Sequence, residues 1–376
     1  MAPKDERPMR ERMAEYVLDL QERIVTALEG VDPASPKFKR DKWSRAQGGY
    51  GVSCVFPPSP PSFEEGKEPK TVLEKGGVNV SVIHGRLPAA AVKQMRADHA
   101  AIKFDPDDPD AASKTYPFFA AGLSLVIHPR NPNAPTVHCN YRYFELGEPS
   151  PSSTASQTEG EGATGARGPL TGVPLAQRAM AWWFGGGADL TPSYLFPEDA
   201  VHFHRTLKTA CAAHGSALFP AFKKWCDEYF FIAHRGEARG IGGIFFDDFS
   251  DAPHPRLSGG GDARPTTLEG VFAFAKACGD AFNPSYIPIL SRRHALPFTP
   301  AMRRWQLVRR GRYVEFNLVY DRGTKFGLMT PGARIESILM SLPETARWEY
   351  MSELGTQADT EEAKLVSVLK TPKEWV

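Results

Sequence analysis

Polar side chains of quite different chemistry alternate along residues 122–145, which read GLSLVIHPRNPNAPTVHCNYRYFE. In a β-strand alternate side chains share a face, so His138, Asn140 and Arg142 point one way while Tyr141 points the other. Arg142 offers a planar fork for a carboxylate or phosphate, and His138 can exchange protons near neutral pH. One strand face therefore carries both an anion-binding group and a proton-transfer group.

The preceding segment adds hydrogen-bonding groups to the same face. Its connection to the next strand is too short for a crossover helix, so the two strands must pair antiparallel. A symmetric turn about Pro132 places Ser124 opposite Asn140 and Val126 opposite His138. The predicted pocket wall consists of Ser124, His128, His138, Asn140 and Arg142. The alternative is an exposed polar face of a half-buried hairpin, which one-sided antiparallel sheets commonly show.

A second group follows in residues 182–192, which read WWFGGGADLTP. Three consecutive glycines allow a backbone to approach a ligand closely, and they lead to Asp189, which we expect on a loop. An acid at this position can accept hydrogen bonds from a cationic or N–H-bearing ligand. The alternative is a tight turn in which Asp189 caps a turn or a helix.

Four histidines offer a metal site as an alternative, but no HxxxH or HExxH pair fixes two of them on one helical face. The four are His128, His138, His204 and His234. We expect no metal, and His204 and His234 fit better as structural histidines. Asp247 and Asp248, at the end of a predicted strand, can bind metal or polarise a base, although acids at strand ends more often face solvent.

An arginine-rich stretch at residues 303–312 can bind a polyanion, including RNA, with nearby aromatic side chains available for stacking. A solvated helix face is the simpler interpretation, and the formal net charge of +1 argues against nucleic acid. Farther along, residues 330–334 read TPGAR and lead into a predicted helix. Its free N–H groups, together with Arg334, can hold a carboxylate.

The elements that must position these groups are short. Apolar runs predict strands at 77–84, 118–128, 136–146, 180–185, 241–247 and 312–320. Helical spacing predicts helices at 7–29, 88–102, 198–214, 220–235, 267–282, 300–310, 334–341 and 360–369. The fold class is therefore α+β, a single domain with a large, mostly antiparallel sheet flanked by helices on both sides. Loop insertions are predicted at 57–70, 147–172 and 250–265, where the composition cannot form a packed core.

Composition sets limits on the class of protein. Hydrophobic residues make up 41% of the 376 positions, which supports a large folded core. No apolar run is long enough to span a membrane, so an integral membrane protein is not expected. The five cysteines form no CxxC pair and are expected to be buried thiols. The first sixteen residues contain four acidic side chains and no apolar segment, which favours a cytosolic protein.

These residues resemble the oxygen-dependent coproporphyrinogen III oxidases. The resemblance rests on residues 76–85 (GGVNVSVIHG), 122–145, 182–195 (WWFGGGADLTPSYL), 198–208, 223–248 and 309–350. It implies oxidative decarboxylation of two propionates of coproporphyrinogen III to vinyl groups, which gives protoporphyrinogen IX in haem biosynthesis. Dioxygen is the co-substrate, and carbon dioxide and hydrogen peroxide are released. A non-catalytic anion-binding or RNA-binding protein that uses residues 303–312 is the alternative.

The resemblance also assigns roles to individual residues. It implies that His138 is the proton donor and that Asp189 engages the pyrrole nitrogens, which makes these two the catalytic residues. The implied substrate-binding residues are Ser124, Asn140, Tyr141, Arg142, Gly332, Ala333 and Arg334.

Further implications concern assembly, cofactors and location. The resemblance implies a homodimer with an interface that includes residues 313–348. It implies no required cofactor. Bacterial members have been assigned a divalent metal, such as manganese, on the four histidines named above, and we expect the metal-free form. The mitochondrial intermembrane space is the alternative to a cytosolic location.

Overall fold

The protein is built around one antiparallel sheet in which strands adjacent in space are mostly consecutive in the chain. The computed structural model describes residues 5–57, 71–96, 99, 102, 113–151, 179–257, 264–329 and 333–376. The strands are β1 (Lys39–Ser44), β2 (Gly49–Val55), β3 (Leu73–Pro88), β4 (Lys114–Pro129), β5 (Thr136–Leu146), β6 (Ser150–Pro151), β7 (Ala181–Thr191), β8 (Phe231–Ile232), β9 (Glu237–Ala238) and β10 (Gly243–Phe249). The main sheet has the order β1-β2-β3-β4-β5-β7-β10, with β6 beside β4, while β8 and β9 form a separate hairpin.

Helices cover both faces of this sheet, which confirms the predicted α+β class. They are α1 (Met9–Val31), α2 (Ala89–Arg96), α3 (Pro197–Ala212), α4 (Leu218–Tyr229), α5 (Leu268–Asp280), α6 (Phe282–Arg293), α7 (Pro300–Val319), α8 (Arg322–Met329), α9 (Ile335–Leu339) and α10 (Glu361–Lys370). The apolar stripe of α1, which includes Val17 and Ile24, packs with α3, α5 and α6 against one face in the main core. On the opposite face, Tyr313 of α7 packs edge-on against the ring of His128.

The predicted hairpin register is confirmed. Ser124 pairs with Asn140, and Val126 pairs with His138. The intervening side chains, such as Cys139, point into the main core and are fully buried. Because a shift of one residue would exchange the two faces, this register decides which side chains a ligand can reach. All five cysteines are buried and free, as predicted.

The strand predicted at residues 312–320 is wrong, because these residues form the second half of α7. Buried side chains recur there at helical spacing, as at Trp305, Arg309, Tyr313 and Phe316. The segment is rich in aromatic and branched residues, and a short run of that kind does not distinguish a strand from a buried helix. The helix predicted at 267–282 is confirmed as α5, whereas α6, which begins directly after Ala281, was not predicted.

Most of the predicted insertions lie outside the described residues, which omit 58–70, 152–178 and 258–263. The helix predicted at 88–102 is described as α2, which ends at Arg96. Within the described ranges, no helix is both long enough and apolar enough to cross a membrane.

Candidate active site

Five polar side chains from five neighbouring strands lie in one row across the sheet. Asp41 pairs with Ser53, Ser53 with Asn79, Asn79 with Ser124, and Ser124 with Asn140. Since adjacent strands lie about 4.8 Å apart, the row is roughly 19 Å long. Asp41, Ser53 and Asn79 were missed by the sequence reasoning, because no short turn joins β3 to β4 and fixes the register between them.

Helix α9 covers the β1 end of this row. The hydroxyls of Ser337 and Ser53 lie 3.0 Å apart, and Nδ2 of Asn79 donates to the carbonyl oxygen of Ser337 at 2.8 Å. Arg334, just before α9, forms an ion pair with Asp41. Arg334 is therefore held at the Asp41 end of the row, whereas Asn140 forms the other end. Arg334 does not lie beside Arg142.

Arg142 lies at the other end of the row, between an amide and a carboxylate. Its Nη1 donates to Oδ1 of Asn140 at 2.8 Å, and its Nη2 lies 2.9 Å from Oδ1 of Asp247. Burial on its own would raise the pKa of Asp247, but the charge of Arg142 holds it below its ordinary value. Asp247 is thus an ionised internal partner of Arg142, whereas strand-end acids usually face solvent. A β-bulge follows it, with Asp248 at a φ of 51°.

The three glycines of β7 make room for neighbouring groups. Gly185 lies opposite Arg142, and a Cβ added there would come within 2.8 Å of the guanidinium and 2.6 Å of the Asp247 carboxylate. At Gly187 a Cβ would meet the carbonyl oxygen of Ile244 at 2.2 Å. These glycines therefore allow close contact between neighbouring strands, and the predicted close approach of the backbone to a ligand stays a prediction.

The half-buried His138 and the buried Asp189 form a pair on adjacent strands. Nδ1 of His138 lies 2.7 Å from Oδ1 of Asp189, and Oδ2 of Asp189 accepts from Nη2 of Arg239 at 2.7 Å. Burial acts to raise the pKa of Asp189, but the Arg239 charge and the His138 hydrogen bond lower it overall. The expected loop position of Asp189 is wrong, because β7 continues through the glycines to Thr191. Arg239 was missed, since nothing near it in sequence indicates its partner.

One further predicted site residue, Tyr141, is placed differently from the expectation. Tyr141 faces the main core, is fully buried, and donates its hydroxyl hydrogen to the carbonyl oxygen of Cys278 at 2.9 Å. Its side chain is therefore not a substrate contact, because alternation along β5 turns it away from His138. Ala333 is half-buried, and Gly332 lies outside the described residues.

The four histidines of the alternative metal set have separate partners. Nε2 of His128 lies 2.9 Å from the carbonyl oxygen of Ser341, and Nδ1 of His204 lies 2.8 Å from that of Ala200. His234 pairs with a glutamate of α7. Over the part of the chain that the structure describes, no three His, Cys, Asp or Glu side chains are grouped to hold a metal ion. The structure does not bring the four histidines together as one ligand set, and metal independence stays a prediction.

The arginines of residues 303–312 are paired with carboxylates and do not form a free basic surface. Arg303 and Arg310 both lie 2.8 Å from the buried Glu74. Burial acts to raise the pKa of Glu74, but these two arginines lower it to about 2. The remaining pairs are Arg304 with Glu349, Arg309 with Glu237, and Arg312 with Glu315. The polyanion-binding interpretation therefore has no support in the structure.

The fold and the site define an α+β protein whose polar sheet face combines an arginine fork with a histidine–aspartate pair. The chain belongs to the coproporphyrinogen III oxidase family, whose model matches residues 12–375. It is 48% identical over 99% of its length to an oxygen-dependent coproporphyrinogen-III oxidase of Drosophila melanogaster, and the match covers 80% of that protein. A mitochondrial relative from Homo sapiens is 48% identical over 98% of this chain and 67% of its own length. A chloroplastic relative from Glycine max is 44% identical over 98% of this chain and 80% of its own length.

The expected cytosolic location is wrong. The mammalian relatives are named mitochondrial and the plant relatives chloroplastic. The mammalian names fit the mitochondrial part of the alternative, but they specify no compartment within the organelle. The prediction was wrong because receptors recognise a short targeting segment, so the composition of a folded domain does not indicate the organelle in which the protein is located.

Proposed function

We propose that this chain is an oxygen-dependent coproporphyrinogen III oxidase that converts two propionates of coproporphyrinogen III to vinyl groups in haem biosynthesis. One observation carries this proposal beyond family membership: Arg142, Asn140, Ser124 and His138 share one face of the sheet in the predicted register. For each propionate, a carbon–hydrogen bond and the bond to the carboxylate carbon break, a carbon–carbon double bond forms, and the carboxylate leaves as carbon dioxide. Dioxygen takes up the two electrons released, the proton of the broken carbon–hydrogen bond and one further proton, and becomes hydrogen peroxide.

The sheet face suits a flat ligand with several carboxylates. Arg142 can hold one carboxylate in a bidentate fork, and Ser124 and Asn140 supply neutral hydrogen bonds next to it. Arg334, at the other end of the roughly 19 Å row, can bind a second carboxylate if it releases Asp41. Because these protein groups are fixed on neighbouring strands, they can hold the reacting propionate of the substrate in one orientation. Binding of the carboxylates then also positions the propionate for reaction.

His138 is the group proposed to handle the proton. Its Nδ1 is bound to Asp189, and its ring edge packs against Phe230, so its remaining nitrogen is the one that can reach a ligand. General acid–base catalysis by a positioned histidine typically contributes about 10²–10⁴-fold to the rate. The pyrrole contact that the resemblance implies for Asp189 stays a prediction.

The reaction is proposed to need dioxygen and no resident cofactor. The experiment is to incubate EDTA-treated protein with coproporphyrinogen in air and under argon, then oxidise and separate the porphyrins. Product is expected only in air. Equal product under both gases, or none in air, contradicts the proposal. Activity that is lost on EDTA treatment and restored by manganese would show that a metal takes part.

A homodimer is proposed through residues 313–348. Of the ten large apolar side chains that are exposed in the described part of the chain, six lie in this range, and Tyr350 and Met351 follow it directly. The six are Leu318, Val319, Leu328, Met329, Ile335 and Trp348. Exposed apolar side chains concentrated in one segment are typical of a protein–protein interface.

A further inference from the structure

A buried arginine, Arg239, binds the Asp189 side of the His138–Asp189 pair. Only 2% of the side-chain surface of Arg239 is exposed, and its Nη2 lies 2.7 Å from Oδ2 of Asp189. Its Nη1 donates to Oδ1 of Asn317 at 3.1 Å. Arg239 is therefore too buried to reach a ligand on the sheet face, and within the described part of the chain it forms its ion pair with Asp189.

Three aromatic rings surround the Arg239 guanidinium. Its Cζ lies 4.0 Å from the ring centre of Phe230, 4.6 Å from that of Tyr313 and 4.8 Å from that of Phe316. Aromatic faces attract a cation, and guanidinium is the cation that stacks best on them. This cage fixes the position of the guanidinium, and with it the position of the carboxylate that it binds.

Asp189 is turned toward these two partners and away from solvent. Only 3% of its side-chain surface is exposed, and each oxygen is bound, one to His138 and one to Arg239. An ionised carboxylate only accepts hydrogen bonds, so Nδ1 of His138 must carry the hydrogen in this pair. In neutral His138 the lone pair is then on Nε2, the nitrogen for which the described residues provide no hydrogen-bond partner.

We propose that Arg239 is a positioning residue that acts through Asp189 to hold His138 in the Nδ1–H tautomer, with Nε2 directed to the substrate. In this proposal the role of Asp189 in the free protein is to orient His138, since both of its oxygens are bound to protein partners. The catalytic role of the Nδ1–H tautomer rests on the proposed function. The tautomer itself is a property of the free protein.

The test is the ¹⁵N NMR spectrum of histidine-labelled free protein, with the His138 signals assigned from a His138→Gln variant. The wild type is expected to show His138 with Nδ1 protonated and Nε2 unprotonated when neutral. Arg239→Gln is expected to give a mixture of tautomers. Its kcat should fall by about 10-fold to 100-fold while KM changes by less than about threefold, because only orientation of the proton-transfer group is lost.

Arg309→Gln is the matched control. Arg309 is also buried, on α7, and lies 2.7 Å from the Glu237 carboxylate, so its ion pair is with a carboxylate other than Asp189. This control should leave the His138 tautomer as in the wild type. A His138 spectrum unchanged in Arg239→Gln, or changed equally in Arg309→Gln, overturns the proposal.

Two further variants keep the proposal falsifiable if Arg239→Gln does not fold. Arg239→Lys retains the positive charge and should retain the Nδ1–H tautomer with a kcat closer to the wild type. Asp189→Asn is nearly isosteric and should lose the single tautomer even with Arg239 in place. An Asp189→Asn protein that keeps a pure Nδ1–H tautomer contradicts the proposal. These spectra are recorded without substrate. They therefore test the tautomer of His138 even if the protein does not catalyse the proposed reaction.

Discussion

Nη2 of Arg142 lies 2.9 Å from Oδ1 of Asp247, so the arginine that faces the ligand side of the sheet is held in place by an internal carboxylate. Guanidinium has five N–H donors, and Asn140 and Asp247 use only part of them. The remaining donors can bind a substrate carboxylate while the fork keeps its orientation. Asp247 also balances the charge of Arg142, whose side chain is 36% exposed.

Arg142→Lys should lower kcat/KM by at least about tenfold. Lysine keeps the charge, but it replaces a planar fork that reaches two partners and a ligand with a single ammonium group. Steady-state kinetics with coproporphyrinogen measures this change, and thermal unfolding checks that folding is retained. Arg23→Lys, an exposed substitution on α1 on the opposite side of the sheet, is the control and should keep wild-type kinetics. Unchanged kinetics in Arg142→Lys would remove Arg142 from the site.

Gly185→Ala should displace the Arg142–Asp247 pair. The added Cβ would come within 2.8 Å of the Arg142 guanidinium and 2.6 Å of the Asp247 carboxylate, so at least one of these groups must move. We expect kcat/KM to fall by about tenfold or more, since misplaced positioning groups are costly. Gly30→Ala is the control: it lies in α1 with no atom within 4 Å of the added Cβ, and it should be neutral or stabilising by up to about 1 kcal/mol. Equal effects of the two substitutions would contradict this account of Gly185.

Two buried histidines should make the protein less stable in mild acid. Burial lowers the pKa of both His128 and His204 to about 3 in the folded protein, whereas an unfolded histidine titrates near 6.5. The unfolded state therefore takes up protons first. Their contribution to stability is complete above pH 6.5 and is lost as the pH falls toward 3. At pH 5 the loss is roughly 2 kcal/mol for each histidine.

Urea unfolding at several pH values measures this effect. His204→Gln should reduce the slope of the unfolding free energy between pH 6 and 5 by about 1.2 kcal/mol per pH unit, whatever its effect at pH 7. His128→Gln provides an independent second measurement. A slope that neither substitution changes would show that these histidines are not buried neutral groups.

Leu318→Glu should weaken the proposed dimer. Leu318 is 44% exposed at the end of α7, so folding of the subunit should be retained. In a twofold interface each substitution occurs twice, and burying a charge there should raise the dissociation constant at least about tenfold. Sedimentation velocity at several concentrations measures it. Phe298→Glu, at an exposed apolar residue outside 313–348, should leave the oligomeric state unchanged, and an equal effect of both would argue against this interface.

The hairpin could be predicted because its determinants are local. Alternation along residues 136–146 and a short turn about Pro132 set the pairing of Ser124 with Asn140, and the structure shows that pairing. The arginine-rich stretch could not be interpreted locally. The charges of Arg303 and Arg310 are neutralised by Glu74, which is far away in sequence and meets them only in the folded chain.

The sequence by itself determined the antiparallel hairpin and the one face that carries Ser124, His138, Asn140 and Arg142, because alternation and turn length act between near neighbours. The tertiary structure alone decided the partners of those side chains. Packing of β7 between β5 and β10 brings Asp189 to His138 and Asp247 to Arg142. Such contacts depend on how distant segments align across a sheet, and that alignment cannot be predicted from the composition of any single segment.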